Sequence, residues 1–221
     1  MSDVESTRLF RDGRYADAEK RLTEGLKDHG ETGNDALLYN LDIALALRYQ
    51  GKFAESNRYF FIADKLAEAM DYRSVSGEVA TLLTSDNIKF YRAEDFEWVL
   101  MSVYLSMNFA EMGKIEDAIV EARRVNRKLL LLTQDGQRKY KQNAFARYLS
   151  GVLYESEQNW NDAYIDYKEA HALKPDFPGI GLDLYRLATL QQDGDGKKKW
   201  ETEFALTPEL KQKALESLPK K

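Results

Sequence analysis

The sequence predicts an all-α protein built from antiparallel helix pairs. A short turn pattern recurs four times, at residues 13–18, 51–56, 113–118 and 158–163. In each copy a small or polar residue ends one helix, a large apolar residue two positions later begins the next, and a small residue three positions further lets the helices approach closely. Apolar residues recur at steps of three and four on both sides, and the chain has only 4 prolines, as expected for long amphipathic helices.

Composition limits the class of protein. The 221 residues are 43% apolar and 31% charged, enough for one helical domain with a sizeable core. A net charge of -5 and a pI near 5.3 argue against a nucleic-acid partner. With no cysteine, disulfides and thiolate metal sites are excluded, whereas the redox compartment stays open.

Neither a membrane span nor an export signal is visible. The longest uncharged run, residues 98–110, has 13 residues, whereas a helix needs roughly 20 to cross a bilayer. The first residues, Met-Ser-Asp-Val-Glu-Ser, lack a basic region followed by an apolar core. The protein is therefore expected to be cytoplasmic, or to follow an export signal that the sequence does not include.

The last turn and its flanking helices carry a specific resemblance. They match the spacing of the tetratricopeptide repeat (TPR) at Gly151, Tyr154, Trp160, Ala163, Tyr167, Ala170 and Pro175. The second pair is similar at Ala44, Leu47, Gly51, Phe53, Phe60 and Ala63. This resemblance implies a right-handed superhelix of about four TPR-like pairs, usually a binding scaffold rather than a catalyst.

The spacing of the turns departs from a regular repeat of about 34 residues. The three intervals are 38, 62 and 45 residues, so an insertion, at about residues 72–92, is expected between the second and third pairs. It is either a functional segment or a loop packed along one edge of the array.

The C-terminal part predicts a helix starting near Gly179 or Gly181, then a linker at residues 191–199. A last helix follows, with Thr207 as its cap and Pro208 as its first residue. We therefore expect a solenoid over residues 1–194, and over residues 195–221 a linker plus a helix that caps the apolar end of the stack.

The first helix of each pair is expected to line a concave, apolar, partner-binding groove. That expectation follows from the TPR resemblance and includes Leu38, Leu41, Leu45, Arg48, Leu100, Val103, Met107, Phe145, Tyr148, Val152 and Glu155. The lysine, arginine and asparagine pattern with which some TPR proteins grip a terminal carboxylate is missing. Either an amphipathic or extended partner segment or the chain's own insertion or C-terminal segment would fill the groove.

No chemical motif points to catalysis. The two histidines, His29 and His171, have no ligand-type residue at a metal-binding step, and neither a phosphate loop nor a nucleophile elbow occurs. We expect no metal, no cofactor and no enzymatic activity.

A second resemblance covers about 50 of the 221 residues. Segments 82–91, 94–100, 108–113 and 118–126 are similar to a family of largely uncharacterised bacterial TPR lipoproteins. The resemblance implies a periplasmic protein, exported and anchored to the outer membrane through a lipid at its N-terminus. This sequence has no lipobox cysteine, so the anchor is inferred.

A charged cluster lies within these segments: Glu94, Glu97, Glu121, Arg123 and Arg124. In the structural interpretation, an arginine pairs with a carboxylate such as Glu94, Asp95 or Glu97 and fixes the insertion. In the functional interpretation, the cluster meets an acidic group of a partner.

Three functional hypotheses follow. The leading one is a non-enzymatic scaffold of the bacterial envelope that recruits another protein. The second is a cytoplasmic adaptor that uses the same groove. The third is a cell-wall enzyme, which requires Glu94 or Glu97 in a cleft with a second carboxylate within roughly 5 to 10 Å.

Overall fold

The computed structural model describes residues 4–30, 33–75, 91, 93–134 and 144–216, and within these ranges it contains eleven α-helices and no strand. The prediction of an all-α protein of antiparallel helix pairs is confirmed. In chain order the helices are α1 (Val4–Arg11), α2 (Tyr15–His29), α3 (Ala36–Tyr49), α4 (Phe53–Val75), α5 (Asp95–Glu111), α6 (Ile115–Gln134), α7 (Ala144–Ser156), α8 (Trp160–Leu173), α9 (Ile180–Leu190), α10 (Gly194–Glu203) and α11 (Pro208–Glu216).

The chain divides into two compact units, unit 1 (Met1–Glu121) and unit 2 (Ala122–Lys221), with the boundary inside α6. In unit 1, each helix from α1 to α4 packs against the next one. In unit 2, α7 packs on α8, α8 on α9, and α9 on both α10 and α11. The predicted domain boundary at residue 194 stays a prediction.

The same backbone turn closes each helix pair. At Gly51, φ is +74°; its N–H donates to the carbonyl of Arg48 (2.9 Å), and the N–H of Lys52 donates to the carbonyl of Leu47 (3.0 Å). These two bonds define a Schellman motif, which satisfies the last carbonyls of a helix. The same pair of bonds and a positive φ recur at Gly13, Gly113, Gln158, Gln192 and Ala205.

The small residue of each predicted turn lies where two helices meet. Ala18, Ser56, Ala118 and Ala163 are all fully buried. Two of the turns add a link between helices, because the Ser56 hydroxyl donates to the carbonyl of Ala44 and the Ser106 hydroxyl donates to the carbonyl of Ala118, each at 2.8 Å. In the fourth pair, a Cβ on Gly151 would meet the Tyr167 ring at 2.6 Å, so glycine permits the close approach of α7 and α8.

Helix α3 contributes to two cores in unit 1. One face packs with α1 and α2 through residues that include Tyr39, Ile43 and Leu47. A second face packs with α4 and α5 through Leu37, Leu41 and Ala44. A helix buried on two sides is apolar around most of its circumference, as the sequence Ala-Leu-Leu-Tyr-Asn-Leu-Asp-Ile-Ala-Leu-Ala-Leu of α3 is.

The predicted linker at residues 191–199 is wrong, because α10 begins at Gly194 and forms a fifth pair with α9. The turn at Gln192 has the geometry of the other turns, but Gly194 stands where they have a large apolar residue, and Lys197 stands where they have a small one. The side chain of Asp193 caps α10 by accepting a bond from the N–H of Gly196 at 2.9 Å. The apolar anchor, Trp200, comes later in the helix and is buried.

The C-terminal helix agrees with its sequence signals. α11 begins at Pro208, and the Thr207 hydroxyl oxygen accepts a bond from the N–H of Leu210 at 3.3 Å. Ala214 is buried, and the helix packs against α9. The predicted insertion lies mainly outside the described residues; α4 continues through its first part to Val75.

Replacing Gln158 by glycine should stabilise the chain, because a side chain in the left-handed region is strained and glycine is not. We expect a gain of roughly 0.5–1 kcal/mol in the free energy of unfolding, measured by urea titration. The converse change, Gly51→Ala, should cost about 1 kcal/mol. Since no atom lies within 4 Å of a Cβ at Gly51, its cost would report the backbone alone. An unchanged or lower stability in Gln158→Gly would contradict the strain argument.

Candidate functional site

Unit 1 contains an apolar cavity between α3, α4 and α5. Its volume is about 250 Å³. The described part of its lining is mostly apolar or aromatic and includes two carboxylates but no basic side chain: Leu38, Leu41, Asp42, Leu45, Phe60, Phe96, Glu97, Leu100, Met101 and Tyr104. Phe60 and Met101 are buried, whereas Phe96 is 49% exposed. The surface can therefore take up apolar side chains, and its charge is negative.

A buried polar network ties the same three helices together. Asn108 on α5 is fully buried, donates to the Ser56 hydroxyl at 2.9 Å and to the Asn57 side-chain oxygen at 2.8 Å, and accepts a bond from Arg48. The Arg48 guanidinium also lies over the Phe53 and Tyr104 rings, 5.8 Å from each centroid. Because a buried amide is costly unless its bonds are made, this network fixes α5 against α3 and α4.

Glu97 has a structural role at the cavity. It accepts bonds from the Tyr91 hydroxyl at 2.7 Å and from the backbone N–H of Glu94 at 2.8 Å, which completes a capping box at the start of α5. Tyr91 is also held by its N–H, which donates to the carbonyl of Asn34 at 2.8 Å. Burial and the Glu97 hydrogen bond raise the pKa of Tyr91 above its ordinary value, so Tyr91 acts as a neutral donor.

The predicted groove residues of unit 1 differ in their exposure. Leu38, Leu41 and Leu45 line the cavity together with Leu100, and their role in binding a partner stays a prediction. Val103, by contrast, is buried in the core and presents no surface to a partner. Met107 is half-buried. Sequence reasoning missed the cavity positions Asp42, Phe96 and Tyr104, of which Tyr104 follows Leu100 by one helical turn and could have been found by that spacing.

The groove residues predicted on α7 belong to unit 2, where two of them meet the next repeat. The Tyr148 hydroxyl donates to Asp183 on α9 at 2.8 Å, and Glu155 forms a close ion pair with Arg186 on α9. Phe145 and Val152 are 42% and 40% exposed. The fifth pair therefore uses part of the surface that the TPR spacing predicts for a partner.

The α7–α9 contact is an ionic cluster in which Arg186 is buried and the carboxylates of Glu155 and Asp183 are half-buried. Arg186 donates to Glu155 at 2.9 Å and to Asp183 at 2.6 Å, and Glu155 also accepts a bond from the Tyr167 hydroxyl at 2.8 Å. Burial raises the pKa of the Asp183 carboxyl and lowers the pKa of the Arg186 guanidinium. Both charges are thus tolerated because they pair with each other.

The predicted charged cluster divides between the units. In unit 1, Glu94 and Glu97 form the capping box, and Glu121 is buried. In unit 2, Arg123 is exposed and hydrogen-bonds to the Tyr154 hydroxyl, while Arg124 is half-buried. Glu97 does share the cavity with Asp42, but the hydrogen bonds of Glu97 lend no support to a catalytic role. Among the described residues, no group of three or more potential ligands is placed to hold a metal ion.

No helix in the described part of the chain has both the length and the apolar character that a membrane span requires. No protein-family model matches the sequence. No curated protein matches it either.

Solved structures match the fold closely over nearly the whole chain. MamA (residues 41 to the end) from Desulfovibrio magneticus RS-1 has a TM-score of 0.58 at 16% identity, covering 94% of this chain and 92% of that one. BtubC (BKLC) from P. vanneervenii has a TM-score of 0.61 at 16% identity, covering 98% and 80%. The Rap conjugation gene regulator of plasmid pLS20, in complex with the Phr* peptide, has a TM-score of 0.50 at 15% identity, covering 94% of this chain and 52% of that one.

These likenesses define the fold class. The chain has a TPR-like repeat fold, structurally similar to MamA and Rap proteins. Proteins of this class are usually non-enzymatic scaffolds that mediate protein–protein interactions.

Replacing Arg186 by methionine should destabilise unit 2 by roughly 2 kcal/mol at neutral pH, because two half-buried carboxylates lose their cation; the loss lies between those of exposed and fully buried ion pairs. The folded-state pKa of Asp183 is raised, so the folded chain keeps this proton at pH values where the unfolded chain has lost it. Lowering the pH through the folded-state pKa should therefore recover part of the loss. Urea titrations between neutral and mildly acidic pH would measure this change.

The matched control is Arg14→Met, which breaks the exposed pair with Asp17 and should have little effect at any of these pH values. A loss in Arg186→Met that grows on acidification would contradict the assignment of an ionised cluster.

Proposed function

We propose that the protein is a non-enzymatic scaffold whose unit 1 cavity receives an apolar, basic segment of a partner protein. The observation that carries the proposal is the lining of the cavity: apolar side chains from α3 and α5 and two carboxylates, with no cation among the described residues that line it. A volume of about 250 Å³ lies below the roughly 300–1,000 Å³ of typical small-molecule sites. It suits one or two anchoring side chains of a larger partner.

The charge of unit 1 favours a basic partner. Its sequence contains 14 basic and 23 acidic residues, a formal net charge of -9. Lysine or arginine beside the apolar anchors would be attracted by this field and would meet the carboxylates at the cavity. The Rap structure with its peptide is a precedent for peptide binding by a protein of similar fold.

The test is selection of peptides from a random library on the full-length protein, followed by affinity measurements with two matched variants. Leu45→Gln places an amide in the apolar cavity. Ile62→Gln makes the same chemical change at an exposed position of α4 that is absent from the cavity lining. Selected peptides should carry apolar anchors beside Lys or Arg.

Such peptides should bind the Leu45→Gln variant about tenfold more weakly than the wild-type protein, since the glutamine amide would be buried without hydrogen-bond partners. Affinity for Ile62→Gln should be unchanged. Selection of acidic peptides, or equal binding to both variants, would refute the proposal. If the protein also cleaves cell-wall fragments, this activity would instead favour the enzymatic hypothesis.

We further propose that this scaffold works in the bacterial cell envelope, on the periplasmic side, and is held at the outer membrane by a lipid preceding the present sequence. The support is the similarity of segments 82–91, 94–100, 108–113 and 118–126 to bacterial TPR lipoproteins. Fractionation of native cells should then recover the protein with the envelope. Recovery with the cytoplasm would favour the cytoplasmic adaptor.

A further inference from the structure

In unit 2, α6 presents an exposed face that combines leucine and arginine. Leu130 and Leu131 are 52% and 46% exposed, and Arg127, one helical turn earlier, is exposed as well. Residues three and four positions apart are neighbours on a helix surface. The opposite side of the helix is anchored, because Leu129 and Leu132 are buried. Two leucines thus project beside a cation from a helix that the core holds in place.

The sequence around this face is strongly basic. Residues 122–147 contain one acidic residue, Asp135, and eight basic ones. Of these, Arg123 and Arg127 are exposed on α6, whereas Lys128 is buried and Arg147 pairs with Asp166 at 3.0 Å. Unit 2 as a whole has 18 basic and 14 acidic residues, a formal net charge of +4, against -9 for unit 1. The two units of one chain are therefore opposite in charge.

We infer that the partner of the unit 1 cavity is a second copy of the same chain, whose α6 inserts Leu130 and Leu131 into it. This inference rests on the proposed function of the cavity. The α6 face has the chemistry that the cavity calls for: apolar anchors beside an arginine, which the negative charge of unit 1 attracts. The cavity, in turn, offers these side chains an apolar surface in a unit of negative charge.

The charge of unit 1 favours a second copy over an anionic lipid surface. A bilayer could attract the arginines and leucines of α6, but it would repel the charge of -9 on unit 1. A second copy makes that charge attractive, since each unit 1 meets a basic α6 face. Because the cavity and the α6 face are different surfaces, the contact is heterologous. Each oligomer keeps one unoccupied cavity and one unoccupied α6 face at its two ends, so further copies add head to tail.

The test is sedimentation of the full-length protein at concentrations up to about 100 μM, with variants that block one surface each. The face variant is Arg127→Gln with Leu131→Gln; the cavity variant is Leu45→Gln. The matched control, Ile165→Gln, alters an exposed residue of α8. Circular dichroism and thermal melting confirm that each variant is folded.

The wild-type chain and the control should form oligomers whose average size grows with concentration. Association should weaken at least tenfold between about 0.01 M and about 1 M salt, where the Debye length falls from about 30 Å to about 3 Å. Each variant alone should be monomeric. An equal mixture should give a 1:1 complex and nothing larger, because the face variant keeps its cavity and the cavity variant keeps its α6 face.

A monomeric wild-type chain overturns the inference, as does association that persists in the cavity variant. Variants that fail to recover a complex on mixing also overturn it, because they indicate a symmetric contact. So does a monomeric wild-type chain that binds phosphatidylglycerol vesicles through Arg127, which would assign the α6 face to lipid. If the wild-type chain is monomeric while library peptides still require Leu45, this inference fails and the proposed function stands.

Discussion

Every helix pair depends on one residue with a positive φ at its turn. That residue and the one after it return two backbone N–H groups to the last carbonyls of the preceding helix, so the helix ends without orphan acceptors and the chain reverses at a fixed angle. In the first four pairs the next helix starts two residues later with a large apolar side chain, which falls back onto the helix just completed. The small side chains at Ala18, Ser56, Ala118 and Ala163 follow from that reversal, since a larger one would separate the two axes.

Within unit 1, the same geometry explains why the cavity is apolar. α3 packs on α2 with one face and on α4 and α5 with another, which leaves Leu38 and Leu45 between the two buried faces. A helix that must satisfy two cores has little room for charge, so the strip that remains accessible is also rich in leucine. Asn108 prevents α5 from sliding over this strip, because three of its hydrogen bonds connect to α3 and α4. The cavity is therefore a consequence of how the helices stack, and the hydrogen bonds of Asn108 keep these helices in place.

Local sequence could predict the features that local chemistry determines. The four turns, the buried small residues, the start of α11 at Pro208 and the cavity leucines on α3 all follow from spacing that can be read along the chain. The fifth pair could not be predicted, because Gly194 and Lys197 occupy the positions where the other turns have a large apolar residue and a small one. Only the backbone geometry at Gln192 shows the turn. Val103 was misjudged because α5 is apolar nearly all round, so periodicity does not say which side faces the core. The bond of the Tyr91 N–H to the Asn34 carbonyl joins residues far apart in the sequence, and no rule of spacing could have found it.

The ionic cluster of unit 2 explains why the candidate surface lies in unit 1. In a TPR array the first helix of each pair usually faces a partner. In α7, however, Tyr148 and Glu155 already bond to Asp183 and Arg186 on α9 of the same chain. Arg186 thus occupies the place that a partner's cation would otherwise take, and displacing it would require the ligand to compensate the half-buried carboxylates of Glu155 and Asp183. The cavity of unit 1 makes no such demand of an entering apolar side chain, since its described lining is mostly apolar. The proposed binding site therefore lies where the repeats leave leucine accessible, and not where they have already paired their own charges.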